Sequence, residues 1–239
     1  MPDASQGALA AETASATLAK FTANPHWLGG KLAFSLVLHT WKQDLGRHVH
    51  VHALVAGGAL TPAGEWKSPK RGFLFPVKAP SRVFRGKFIA GLSEARGGGQ
   101  PLAAALADEE AWQTLRRQLL AHDCVVYAKQ PLGGPEQVLE YLGRYTHRVA
   151  ISNERLVCMD ATSVRFRVRA TPGKRVRSVP AEEFIDRFLL HVLPSGFKRI
   201  GHYGLLAPAA KEIQLSLARQ ALSVPQPDPV ITATVEDFW

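Results

Sequence analysis

The segment Arg47-His48-Val49-His50-Val51-His52-Ala53-Leu54-Val55 constrains the fold more than any other stretch of this 239-residue chain. Imidazoles at every second position alternate with valines, and an extended strand sorts such residues onto two faces. His48, His50 and His52 therefore share one face, while Val49 and Val51 take the other. The apolar Ala53-Leu54-Val55 and then Gly57-Gly58 follow, so the histidines come off a rigid, mostly buried strand. Imidazole is the commonest protein metal ligand. A pair at this spacing can hold a divalent ion and leave coordination positions open.

A second pattern lies downstream. Pro135 and Glu136 open a helix through Tyr141-Leu142-Gly143-Arg144-Tyr145, as proline at a first turn does. Tyr141 and Tyr145 stand one turn apart on a single face, beside the apolar stripe of Val138 and Leu142. Helical tyrosines more often bury their rings and leave the hydroxyl at a wet edge. Here Arg144, His147 and Arg148 set positive charge beside the phenols. Tyrosine is an accepted covalent nucleophile, but a phenol pKa near about 10 means that its proton must be drawn off at neutral pH. Phosphoryl transfer is chiefly positioning and charge stabilisation, which a metal ion supplies.

Lys and Arg number 29 against 20 Asp and Glu, a net charge of +9 with a pI near 9.8. That balance favours a polyanionic partner, nucleic acid first. The arginines have a local pattern too. Val164, Phe166 and Val168 alternate with Arg165, Arg167 and Arg169, which gives a strand one apolar and one guanidinium face. After the Thr171-Pro172-Gly173-Lys174 turn, Arg175 and Arg177 are expected to continue the basic face, set to contact backbone phosphates. Cys124 and Cys158 lie in apolar runs and read as buried, reduced thiols rather than a disulfide or zinc framework. No signal peptide or membrane span is legible, and the expectation is a cytoplasmic protein. Gly97-Gly98-Gly99 lacks the lysine and helix of a nucleotide loop, so no nucleotide cofactor is expected.

The remaining periodicities predict a helix over Thr13–Ala23, with Thr13 as a possible N-cap, and another from Phe34, Leu38, Trp41 and Leu45, ended by Gly46. Phe73-Leu74-Phe75 and Cys124 to Ala128 read as strands, the latter buried. Helices carrying Val83 to Leu92 and Trp112 to Leu119 lie between them. Short strands are expected at Val149–Ser152 and Arg155–Met159, and a helix from Pro180. The layout is α+β: a mostly antiparallel sheet with flanking helices and a small helical C-terminal part. The division is a disordered tail at 1–12, a catalytic domain at 13–179, a helical region at 180–222 and a tail at 223–239.

Ala33-Phe34-Ser35-Leu36-Val37-Leu38-His39-Thr40-Trp41, the His-Val-His strand, Tyr141 to Ser152, and Phe184 to Tyr203 together resemble the two-tyrosine HUH transposases of bacterial rolling-circle insertion sequences, of the insertion-sequence ninety-one type. The likeness covers roughly residues 14–208. It implies an HUH-endonuclease-like fold in which His50 and His52 are the metal pair, Tyr141 and Tyr145 the nucleophiles, and Mg²⁺ or Mn²⁺ the cofactor. It also implies nicking and transfer of single-stranded DNA at transposon ends and targets, through a 5′-phosphotyrosine link and a free 3′-hydroxyl. The third ligand stays open among His48, Glu136, Gln137 and His39. Members of that family usually begin with a cysteine-rich zinc module, and this chain reads as a copy without it. An idle DNA-binding remnant and a plasmid relaxase or replication initiator are the alternative readings.

Overall fold

The computed structural model describes residues 2–70, 72–98, 106–146, 150–169, 173–192 and 195–228, the side chains of residues 2–4, 144–146 and 174 excepted. Helix α1 (Pro2–Ala23) leads into β1 (Lys31–Trp41) and β2 (Arg47–Leu60), an antiparallel hairpin. With β3 (Trp66–Lys67) and β7 (Ile200–Gly204) these strands form a four-stranded sheet in the order β3-β2-β1-β7.

β1 stands where a helix was expected from Phe34, Leu38, Trp41 and Leu45. Burial explains the difference. Every residue from Phe34 to Thr40 is buried, so the strand is covered on both faces and the alternation that marks a half-exposed strand is lost. One face, Leu32, Phe34 and Leu36 with Val51 and Val55 of β2, packs against Ala11, Ala14 and Leu18 of α1. The other carries Val37 and His39 with their ladder partners His52 and His50. The stretch expected as a loose tail belongs to α1, where Gln6 Oε1 accepts from Arg47 Nη2 at 2.7 Å. Its alanines are good helix formers, and the sheet gives them an apolar surface.

Helices α2 (Lys78–Gly97) and α3 (Glu109–Ala121) pack through Leu92, Leu106 and Trp112. Asp108 caps α3, its Oδ2 accepting from Ala111 N at 2.7 Å. The segment from Cys124 to Ala128 is not the buried strand its composition suggests. It pairs with no described strand, and Val125 and Tyr127 are 97% and 79% exposed. Apolar composition marks a strand only where a neighbour offers a free ladder and a surface to bury. Phe73 to Phe75 likewise form no strand: β3 pairs with β2 instead, while Leu74 and Phe75 pack into the core under α1. Cys124 is half-buried and Cys158 exposed, and both are free thiols.

Helix α4 (Pro135–Thr146) precedes a three-stranded sheet of β4 (Leu156–Met159), β5 (Ser163–Arg169) and β6 (Lys174–Pro180). Its inner face, Val164, Phe166, Val168 and Val179, is closed by Phe184 and Phe188 of α5 (Ala181–Leu189). Arg165, Arg167 and Arg169 alternate outward as expected. Arg175 and Arg177 do not continue that row. They pair with Val168 and Phe166, and direct antiparallel partners share a face, so both arginines lie on the inner side. In the ladder Arg165 is opposite Ser178, Arg167 opposite Val176 and Arg169 opposite Lys174. The C-terminal region is not purely helical, because β7 pairs with β1 before α6 (Lys211–Ala221) packs its Ala218 near Leu60 and Leu205. No described helix is long and apolar enough to cross a membrane.

The tip of the β1–β2 hairpin wedges into the second core. Leu45 is 0% exposed among Ala150, Val164, Phe166, Val168 and Val179, with a left-handed φ of 63° that its surroundings must hold. Asp44 pairs with Arg177 Nη1 at 2.8 Å and accepts from Gly46 N at 3.1 Å. Burial opposes its ionisation, but these partners hold its carboxyl below the usual range. Arg187 Nη1 donates to Asp44 O, Arg155 to Gln43 O, and His191 Nε2 to Leu45 O. The arms of the hairpin, which carry the histidines, are thereby fixed at one end. Leu45→Ala is expected to cost roughly 2–5 kcal/mol of stability in urea unfolding, as for other buried leucines. A loss below about 1 kcal/mol would show that the tip is not wedged.

Candidate active site

Three imidazoles meet on the sheet face opposite α1. His39 of β1 faces His50 of β2 across the ladder, and His52 follows two residues on. One ring nitrogen from each of His39, His50 and His52 lies within 4.8 Å of the others. Ring centroids are 5.3 Å apart for His39 and His50, 4.6 Å for His39 and His52, and 4.8 Å for His50 and His52. His50 Nδ1 donates to His48 O at 3.1 Å, which leaves its Nε2 lone pair aimed into the cluster. His50 Nε2 and His52 Nε2 face each other at 3.0 Å. Two nitrogens each about 2.1 Å from one ion at a right angle stand roughly 3.0 Å apart, so the pair fits adjacent ligands of one metal.

Burial depresses the proton affinity of both rings on the hairpin's second arm. His52 is pushed down to about 4 by desolvation and by the charges of His39, His50 and Lys129. His50 is lowered chiefly by desolvation. Neutral imidazole is the ligating form, so His50 and His52 are ready for a cation at neutral pH. Of the four candidates for a third ligand, His39 is the one in the cluster, 6% exposed. His48 is exposed with its ring 4.9 Å from that of His50, Glu136 is exposed, and Gln137 Oε1 accepts from Gly133 N at 2.8 Å.

Helix α4 delivers Tyr141 to this cluster. Its Oη lies 3.3 Å from His52 Nδ1, with the rings 6.3 Å apart and near-perpendicular at 75°. The side chains of Arg144 and Tyr145, and all of His147 and Arg148, lie outside the described residues. The backbone of α4 runs on to Thr146, which sets Tyr145 one turn beyond Tyr141. Lys129, whose charge reaches His52, and Trp41, whose ring stacks on His39, were not singled out from sequence. The alternation of His39 and Trp41 would have exposed the second, had β1 been read as a strand.

The strand hairpin thus gathers three imidazoles, and α4 holds a tyrosine hydroxyl against one of them. A family model described as "Putative transposase" matches residues 33–213, and the chain belongs to that transposase family. It is 43% identical over 230 residues to the "Putative transposase y4qJ" of Sinorhizobium fredii (strain NBRC 101917 / NGR234), a match that covers 93% of this chain and 58% of that protein. It is 27% identical over 202 residues to the "Transposase for insertion sequence element IS801" of Pseudomonas savastanoi pv. phaseolicola, covering 80% and 47%. The chain thus spans about half the length of the curated relatives it matches. No solved structure matches it.

Proposed function

We propose that the chain carries the catalytic unit of a transposase that nicks single-stranded DNA and transfers it through a tyrosine link. The observation that carries this reading is Tyr141 Oη at 3.3 Å from His52, itself one of three clustered imidazoles. In the step proposed, Tyr141 Oη forms a bond to the scissile phosphorus and the bond from phosphorus to the 3′ oxygen breaks. The phenol loses a proton and the leaving 3′ oxygen gains one, so no co-reactant is consumed. One phosphodiester replaces another, which makes the cut reversible without a nucleotide cofactor.

His39, His50 and His52 would hold Mg²⁺ or Mn²⁺, and an imidazole set suits Mn²⁺ better. Bound there, such an ion supplies polarisation of the scissile phosphate. His48 O fixes the tautomer of His50, while His52 Nδ1 holds the nucleophilic oxygen at the cluster. Tyr145 is the proposed second nucleophile, which would let one tyrosine keep a cut end while the other cuts again. The test is a single-stranded oligonucleotide bearing an element end, offered with Mn²⁺ beside its duplex form. Nicking of the single strand alone is expected, and equal nicking of the duplex would overturn the substrate assignment. Binding without nicking would favour an idle DNA-binding remnant.

The DNA backbone is proposed to lie along Arg165, Arg167 and Arg169, which point outward from β5. Changing all three to Ala should weaken binding of every sequence alike and reduce the salt slope by about 2, at about 0.7 per phosphate contact for single strands. Arg177→Ala is expected to leave that slope alone and to cost about 1–2 kcal/mol of stability, since its partner Asp44 is half-exposed. Sequence-selective loss in the triple variant, or an altered slope in Arg177→Ala, would show that the wrong face was chosen.

A further inference from the structure

We infer that Trp41 is a positioning residue for the metal centre: its indole holds the His39 imidazole in ligating orientation. The inference rests on the proposed metal site. His39 and Trp41 share a face of β1, and side chains two residues apart on a flat strand stand roughly 6.6 Å from each other. Their ring centroids are only 4.4 Å apart, with planes inclined by 23°. The two rings close up where the hairpin register slips. His39 pairs with His50 but Trp41 pairs with Arg47, so β2 carries one residue more than β1 at this point. Such a bulge sharpens the local twist and re-aims side chains.

The indole is itself held. The Arg199 guanidinium lies 5.5 Å from its centroid, and Arg199 O accepts from Leu38 N at 3.0 Å, which ties that residue to β1. Trp41 also packs against the second core and stands 6.0 Å from the buried His191 ring. Guanidinium, indole and imidazole are therefore in contact in series, from the β7 end of the sheet to the histidine cluster. A flat partner of this kind limits rotation of the imidazole about its side-chain bonds before any ion arrives. Loss of a residue that orients a metal ligand commonly costs about 10–100-fold in metal affinity.

The experiment is a calorimetric Mn²⁺ titration of the whole chain. Trp41→Ala and Trp41→Leu should each weaken Mn²⁺ binding about tenfold or more, whereas Trp41→Phe keeps a ring and should lose less than about threefold. In a His39→Ala background, adding Trp41→Ala should cost nothing further, because one residue acts through the other. An undiminished cost in that background would mean general loss of structure and would overturn the inference. Equal affinity in wild type, Trp41→Ala and Trp41→Leu would overturn the role of Trp41 and leave the metal centre standing. No Mn²⁺ binding by the wild type would overturn the metal centre, and this inference with it. A readout that needs no disruptive variant is Co²⁺ quenching of tryptophan fluorescence. Trp41→Phe should remove most of the quenching, and quenching that survives it would overturn the stacking.

Discussion

Tyr141→Phe is expected to abolish the first covalent protein–DNA adduct while leaving single-stranded DNA binding intact. The substitution removes one hydroxyl from a half-buried ring, so the packing of α4 should change little. What it removes is the oxygen that lies 3.3 Å from His52 Nδ1. Loss of a covalent nucleophile ordinarily lowers turnover by roughly a thousandfold or more. Tyr145→Phe should retain an initial cut and fail in the transfer of a second strand, and the double variant should form no adduct at all. Denaturing gels score the adduct, and mass spectrometry of the tryptic peptides maps it. The two other tyrosines are the controls. Tyr127 is 79% exposed, on a segment without strand or helix. Tyr203 stacks on Phe34 at 5.3 Å, on the sheet face away from the histidines, where burial raises its phenol pKa. An adduct mapped to either would show that α4 is the wrong helix.

What could be read from sequence divides along physical lines. The β5 alternation was legible because one face is buried and the other exposed, and the His-Val-His strand because imidazole and valine alternate with the pleat. The tyrosine helix was legible from its opening proline and its i, i+4 pair. β1 was not, because burial on both faces erases that alternation and leaves apolar residues at every spacing. That single misreading left His39 undistinguished among four candidates for the third ligand, because it is opposed to His50 only if both segments are strands of one hairpin. The Arg175 and Arg177 error has another origin. Each strand's alternation was visible, but which residues oppose each other depends on the turn, and a one-residue offset moves a whole row to the other face. Arg177 consequently serves the junction through Asp44 instead of the outer surface.

Removing both His50 and His52 side chains should abolish cleavage and, separately, the stabilisation of the folded chain by Mn²⁺. The second effect does not depend on DNA or turnover. An ion that binds only the folded state adds about 2.7 kcal/mol at a hundred times its dissociation constant. In a chain of this size that corresponds to roughly 5–10 °C in thermal midpoint. The His50→Ala/His52→Ala variant should show no such shift and should still fold, because these rings are only half-buried and their removal leaves little core cavity. The pH dependence of the metal-free protein follows from the same burial. His52 has a folded-state pKa of about 4, below the ordinary 6.5 of an unfolded chain. Between those values the unfolded chain takes up a proton that the folded chain refuses, so stability falls as pH drops from about 6.5 towards about 4. The double variant should flatten that slope. A midpoint that rises with Mn²⁺ as much in the variant as in the wild type would locate the cation elsewhere, and Tyr141 would then need another source of activation.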